Sequence, residues 1–214
     1  MNETLLRERL VQIGRRLYER GLSPGTSGNL SARLQDGWLV TPTNACLGEL
    51  HADRLSRLDD HGRHTSGPAP TKEVPLHLAY YHHRAGTRAV VHLHSPAAVA
   101  VSCLTPADPG NVLRPLTPYF VMRVGQLPLV PYLRPGHPDL ASHIARLAVT
   151  HPAVLLANHG PVVSGVSLDA ATAIAEELEE AARLSLGLHG LPARYLTDDE
   201  IRELRHMADE SSST

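Results

Sequence analysis

Apolar residues recur at Leu6, Leu10, Ile13 and Leu17 within ETLLRERLVQIGRRLYER, the spacing of one helical face, and Gly21 ends that helix. The period then changes. Asn29 to Leu34 and WLVTPT (38–43) predict two strands, with Asp36-Gly37 as a hairpin turn between them. Leu55 to Leu58 predicts a further short strand, closed by the polar turn DDHGRHTSG that carries His61 and His64. PTKEVPLHLAYYHHRAG predicts a helix whose start is fixed by Pro75, because proline fits only the first turn; Thr71, Lys72 and Glu73 then sit at or just before its N-terminus, and His82 and His83 near its end. TRAVVHLH (87–94) predicts a strand, and SPAAVAVSCL a helix with Ser95 as cap and Pro96 at its first position.

Residues 104–137 are proline-rich and without clear periodicity, apart from one expected strand near Leu127 to Val130. A helix is expected over 138–150, and buried strands over AVLLA (153–157) and PVVSG (161–165). Ser167 caps the last long helix, whose apolar positions Leu168, Ala171, Ala175, Leu178 and Ala182 continue until Gly190 and Pro192 end it. A short helix from Asp198 to Met207 follows, and residues 209–214 are expected to be a disordered tail. No repeat or linker divides the chain, so 1–208 is expected to be a single domain.

The length of 214 residues suits one domain, and a hydrophobic fraction of 42% is ordinary for a globular core. A formal net charge of −2 offers no electrostatic footprint for nucleic acid or an anionic membrane. No run approaches the ~18 apolar residues of a membrane span, and MNETLLRERL is too charged for a signal peptide. Cys46 and Cys103 lack CxxC spacing and are expected to be reduced thiols of a cytoplasmic protein. Fourteen histidines are the unusual feature, and their placement decides what they do.

In a strand, side chains at i and i+2 share a face, so His92 and His94 of VVHLHSPAAVA project together while Val91 and Leu93 face the other side. Two such imidazoles can reach one Zn²⁺ or similar first-row ion; alternatively, each is a satisfied core or edge residue. His159 in LLANHGPVV, just after a buried strand, is a candidate third ligand, although Asn-His-Gly is also good turn chemistry. Three imidazoles are the usual protein share of a catalytic zinc with an open position. Glu73, at a helix N-terminus, suits a metal ligand, a general acid/base or a partner of the helix dipole. SPGTSGNLS offers backbone N–H groups around Gly28, with Thr26, Ser27 and Asn29; it suits an anion or is only a turn. Thr71 and Lys72 form a second anion-friendly element.

GTSGNLS, VTPTN, PTKEVPLHLAYY, AVVHLHSPAAVAVS and LLANHGPVVSG, in this order, resemble the class II aldolase/adducin family over residues from about 5 to 190. The resemblance implies a three-layer α/β/α fold around a mixed, mostly antiparallel sheet. It also implies homotetramers with active sites at subunit interfaces and one Zn²⁺ per subunit, replaceable by Mn²⁺ or Co²⁺. Carried over, His92, His94 and His159 become zinc ligands, and Glu73 the acid/base that also coordinates the metal before substrate binds. Thr26, Ser27, Gly28 and Asn29, with Thr43, Asn44, Thr71 and Lys72, become the phosphate contacts. Fuculose-phosphate-type aldolases carry Ser-Ser where this chain has Thr71-Lys72, a departure that implies a charged phosphate contact. Tyr132 matches a proton-donating tyrosine supplied by the neighbouring subunit, with Tyr119 as its competitor.

Within the family, PTNACLG, PTKEVPLH and LTPYFVMRVG are most similar to the 3-oxo-tetronate 4-phosphate decarboxylases. The implied reaction releases CO₂ and dihydroxyacetone phosphate through a metal-stabilised enediolate. A retro-aldol cleavage, of fuculose 1-phosphate for example, passes through the same enediolate. The alternatives are therefore an aldolase, a sugar-phosphate epimerase or, remotely, an adducin-like scaffold without catalysis. The expected partner is a small sugar-acid phosphate. Its carboxylate could meet Arg114, Arg123 or Arg134, which could equally be surface decoration.

Overall fold

The structure, a computed structural model, describes residues 2–212. Helix α1 (Glu3–Glu19) begins where the Asn2 side chain accepts the Leu5 N–H at 2.9 Å. Strands β1 (Asn29–Arg33) and β2 (Gly37–Val40) form the expected hairpin. Gly37 is needed there, because its φ is +144° and a Cβ would lie 2.0 Å from the Leu58 carbonyl oxygen. Strand β3 (Ser56–Asp59) pairs with β2, and β4 (His64–Ser66) pairs with β3. The segment expected to be only a turn is therefore a second hairpin. Asp59 Oδ1 takes the N–H groups of His61 and Arg63 at 3.0 and 2.8 Å, which closes the chain tightly. All three β4 residues are exposed, so no apolar alternation announces that edge strand.

Helix α2 (Val74–His83) precedes β5 (Ala89–His92), and α3 (Pro96–Ser102) follows it. Ser95 occupies the cap position of α3 but does not cap it. The Glu179 carboxylate accepts the N–H groups of Ala97 and Ala98 at 2.8 and 2.9 Å instead. A charge-assisted bond from 81–82 residues away thus replaces the expected hydroxyl. The 104–137 segment holds an unexpected helix, α4 (Pro118–Arg123), capped by Thr117, whose Oγ1 accepts the Phe120 N–H at 3.3 Å. Six residues are too few to display a helical period, and burial of Phe120 and Val121 holds the turn in place.

Strand β6 (Leu129–Val130) is followed by α5 (Pro138–Ala148), β7 (Ala153–Leu156), β8 (Gly160–Gly165), α6 (Leu168–Gly187) and α7 (Asp198–Ser212). As expected, the Ser167 hydroxyl caps α6, accepting the Ala170 N–H at 3.0 Å; the helix closes at Gly187, ahead of Gly190. Helix α7 runs past Met207 to Ser212, correcting the expected tail over 209–212; residues 213 and 214 lie outside the described residues.

The eight strands form one sheet in the order β4-β3-β2-β1-β5-β8-β7-β6, antiparallel throughout except for the parallel pair β6 and β7. Successive residues of β5 serve opposite layers. Val91 packs in a core with Leu10 and Ile13 of α1 and Leu178 of α6. Val90 packs in a second core with Leu76 and Tyr80 of α2 and Leu140 and Ile144 of α5. Helices on both faces of a mixed, mostly antiparallel sheet make the three-layer α/β/α arrangement expected from the sequence.

Candidate active site

Strand β5 ends at His92, and the ladder to β8 ends there too. Leu93 turns into the core, and His94 follows on the His92 side although it lies beyond the strand. Gly160 opens β8 against this point: with φ at +151°, a Cβ would lie 2.3 Å from the Leu93 carbonyl oxygen. The loop between β7 and β8 passes through Asn158 at φ +55°, a conformation that asparagine tolerates, and carries His159 back over the strand end. The turn chemistry and the ligand role of Asn-His-Gly are thus compatible.

The three rings converge. His92 Nε2 lies 3.2 Å from His94 Nε2 and 3.3 Å from His159 Nε2. Glu73 completes the group from the N-terminus of α2, with Oε2 3.3 Å from His92 Nε2 and Oε1 3.5 Å from His159 Nε2. A tetrahedral cation with bonds of about 2.0–2.1 Å spaces its ligands about 3.3–3.4 Å apart, so the donor set fits one such ion. The tautomer fits as well. His92 Nδ1 donates to the Pro161 carbonyl at 2.9 Å, which leaves Nε2 with a free lone pair facing the common centre. Burial keeps these imidazoles neutral: His92 and His94 are pushed below the ordinary histidine range, and His159 falls to about 4. Burial pushes the Glu73 carboxyl up, but the attraction of His92, the Asn29 hydrogen bond, and His159 and His77 together hold it below its ordinary range.

Of the expected phosphate contacts, Gly28, Asn29 and Thr71 touch residues of this centre. Gly28 packs against β5, where a Cβ would lie 2.9 Å from the His92 carbonyl oxygen, so the GTSGN loop lies against the metal-site strand. Within that loop Thr26 is exposed, and Ser27 donates its hydroxyl proton to Pro24 at 2.6 Å. Asn29 makes contacts that the sequence did not predict. Only 5% exposed, it gives its amide to Glu73 at 2.7 Å and meets His77 Nε2 with Oδ1 at 2.5 Å. Both of its polar atoms thus have partners beside the carboxylate. An isolated bridge between Pro42 and Pro70 joins the two other segments, with Thr43 N–H donating to Ala69 at 2.9 Å and Thr71 N–H to Thr41 at 3.1 Å. Thr71 Oγ1 accepts the Glu73 N–H at 3.2 Å, while Asn44 and Lys72 are exposed.

Tyr119 and Tyr132 stay outside the cluster, 60% and 62% exposed. Arg123 lies over Tyr119 at 5.4 Å, and Arg114 stacks 3.6 Å from the Tyr195 ring centre, so both have protein partners. His77 was not singled out by the sequence. Its one signal was its place four residues after Glu73, on the same face of the helix.

A family model described as Class II Aldolase and Adducin N-terminal domain matches residues 8–186. The chain belongs to the class II aldolase/adducin family. The 3-oxo-tetronate 4-phosphate decarboxylase of Escherichia coli strain K12 is 51% identical over 204 residues, spanning 95% of this chain and 96% of its own. The L-fuculose phosphate aldolase of the same strain is 33% identical over 205 residues, spanning 94% and 93%. The crystal structure of Klebsiella pneumoniae YgbL, described as a candidate aldolase/epimerase/decarboxylase, superposes with a TM-score of 0.93 at 53% identity, covering 96% of this chain and 100% of that one. These relatives are lyases of the class II aldolase type, and the chain is an enzyme of that family.

Proposed function

We propose that this chain is a metal-dependent carboxy-lyase that converts 3-oxo-tetronate 4-phosphate to dihydroxyacetone phosphate and CO₂. The observation that carries it is the convergence of His92, His94 and His159 on one point with Glu73 beside them, in a chain half identical to a decarboxylase of that substrate. His92, His94 and His159 would hold a divalent cation, zinc by the preference of three neutral imidazoles, which would supply positive charge for the electron pair released when the carbon–carbon bond breaks. The three histidines would keep that charge at a fixed point, and the Pro161 carbonyl fixes the His92 ring.

The substrate is a β-keto acid. Loss of its C1 carboxylate as CO₂ leaves the bonding pair on C2, and one proton delivered to C2 completes dihydroxyacetone phosphate. Glu73 is our choice for that proton. At rest it is an ionised carboxylate held beside His92 and His159. To act as the acid it would first take one proton from solvent, a form that burial of the carboxyl favours, and then pass that proton to C2. The phosphate falls to Thr26, Ser27, the Gly28 amide and Asn29, with Thr43, Asn44, Thr71 and Lys72. Tyr132, or in its place Tyr119, would serve the site of an adjoining subunit in a homotetramer. We infer a location in the cytoplasm from the reduced-thiol composition; no described helix is long and apolar enough to cross a membrane.

The test is an assay of metal-supplemented and metal-stripped protein on 3-oxo-tetronate 4-phosphate. Metal-dependent release of CO₂ in equal amount with dihydroxyacetone phosphate is expected. The 33% identity to a fuculose phosphate aldolase sustains a second reading, in which an aldehyde appears in place of CO₂. Neither product in the presence of bound metal would defeat both.

A further inference from the structure

Behind Glu73 runs a row of buried polar side chains that the metal-site geometry does not require. Asn29, Ser31, His77 and Tyr81 are each 5% exposed or less and come from β1 and α2. Asn29 Nδ2 meets Glu73 Oε2 at 2.7 Å, and Asn29 Oδ1 meets His77 Nε2 at 2.5 Å. His77 Nδ1 meets Ser31 Oγ at 2.7 Å, and Ser31 Oγ meets the Tyr81 hydroxyl at 2.8 Å.

The proton directions follow from the carboxylate end. An ionised carboxylate only accepts, so Asn29 presents its NH₂ to Glu73 and its oxygen to His77. His77 then carries its proton on Nε2, which leaves Nδ1 to accept from Ser31, and Ser31 to accept from Tyr81. Every donor points towards Glu73. Burial keeps His77 neutral, with a pKa of about 3, so one tautomer serves the whole row. A buried histidine that merely satisfied itself would need only backbone partners. Four polar side chains in a core are costly unless their arrangement specifies something. This row terminates on the reacting carboxyl.

We propose that His77 is a positioning residue: its Nε2–H locks the Asn29 amide with NH₂ towards Glu73, and so holds that carboxylate at the three histidines. The proposal rests on Glu73 as the reacting carboxyl. Because a neutral amide interrupts the row, it orients Glu73 and does not conduct protons to it.

Four variants test this: His77→Leu, His77→Gln, Asn29→Leu and the double variant His77→Leu/Asn29→Leu, each assayed for kcat, KM, folding and bound metal. His77→Leu should lower kcat about 10- to 100-fold with KM within about threefold and metal retained, as for other groups that orient a ligand from behind. His77→Gln, whose amide nitrogen can stand where Nε2 stood, should stay within about threefold of the parent protein. The double variant should be no slower than Asn29→Leu alone, since His77 acts through Asn29. Multiplied losses in the double variant, or equal damage from Gln and Leu, would overturn the proposal. Should His77→Leu fail to fold, Tyr81→Phe removes one hydroxyl from the row; a kcat loss of about two- to fivefold is expected, and no loss refutes the row. The visible spectrum of cobalt-loaded protein gives a readout free of turnover, shifting in His77→Leu but not in His77→Gln. If the parent protein ignores 3-oxo-tetronate 4-phosphate while that pattern holds, the substrate assignment fails and the positioning role stands. Identical spectra in all variants end the positioning role.

Discussion

His92, His94 and His159 hang from two neighbouring strands in the middle of an eight-stranded sheet, whereas Tyr119 and Tyr132 sit on a segment ordered by a six-residue helix and a two-residue strand. The first group is finished within one chain. Its rings touch one another, His92 is fixed by the Pro161 carbonyl, and the loop of Gly28 and the start of β8 press so closely that no Cβ fits. The second group is more than half exposed. A ligand set must be accurate to a few tenths of an ångström before substrate arrives, which demands rigid elements; the role proposed for the tyrosines in an adjoining subunit would let them be ordered on assembly.

Removing a member of the finished group should have the largest effect. His94→Ala leaves two imidazoles for the cation, so metal should be lost and kcat/KM should fall at least about a thousandfold, the scale of several kcal/mol of charge stabilisation. Elemental analysis beside kinetics checks this; a fully metallated, active variant would break the three-histidine account. Glu73→Gln comes next, with turnover down about a hundredfold and the fold intact, as circular dichroism would report. Unchanged turnover would remove the acid/base role.

The outer group should yield smaller numbers and a different signature. Tyr132→Phe should lower kcat about tenfold while Tyr119→Phe stays within about twofold. On the proposal that the tyrosine acts in an adjoining subunit, reassembling Tyr132→Phe subunits with His94→Ala subunits should restore part of the activity. No restoration would overturn that placement of the tyrosine.

The smallest effect concerns stability. His77 has an ordinary pKa of 6.5 when unfolded and about 3 in the fold. Between those values the unfolded chain binds a proton that the folded chain refuses, so stability is full above pH 6.5 and falls as pH drops towards 3, by about 1 kcal/mol at pH 6. Urea unfolding of the metal-free protein should show that loss added to the like-signed contributions of His92, His94 and His159, and His77→Gln should make the slope shallower by the share of His77. Parallel pH profiles would show that His77 contributes nothing to the slope.

What the sequence determined by itself was local. The stripe of Leu10, Ile13 and Leu17, the turn at Gly37, the Ser167 cap and the shared side of His92 and His94 each follow from neighbours a few residues apart, whose geometry any folded context preserves. Tertiary structure decided whatever needed a partner far along the chain. Glu179 displaced Ser95 as the cap of α3, burial of Phe120 and Val121 sustained a helix too short to show a period, and β4 formed with no apolar residue at all. Asn29 lies 44 residues from Glu73 and 48 from His77, and only the packing of α2 across β1 could turn its amide from a loop hydrogen-bonder into the support of a carboxylate. Periodicity encodes which face of an element is buried; which atoms meet there is set when the layers close.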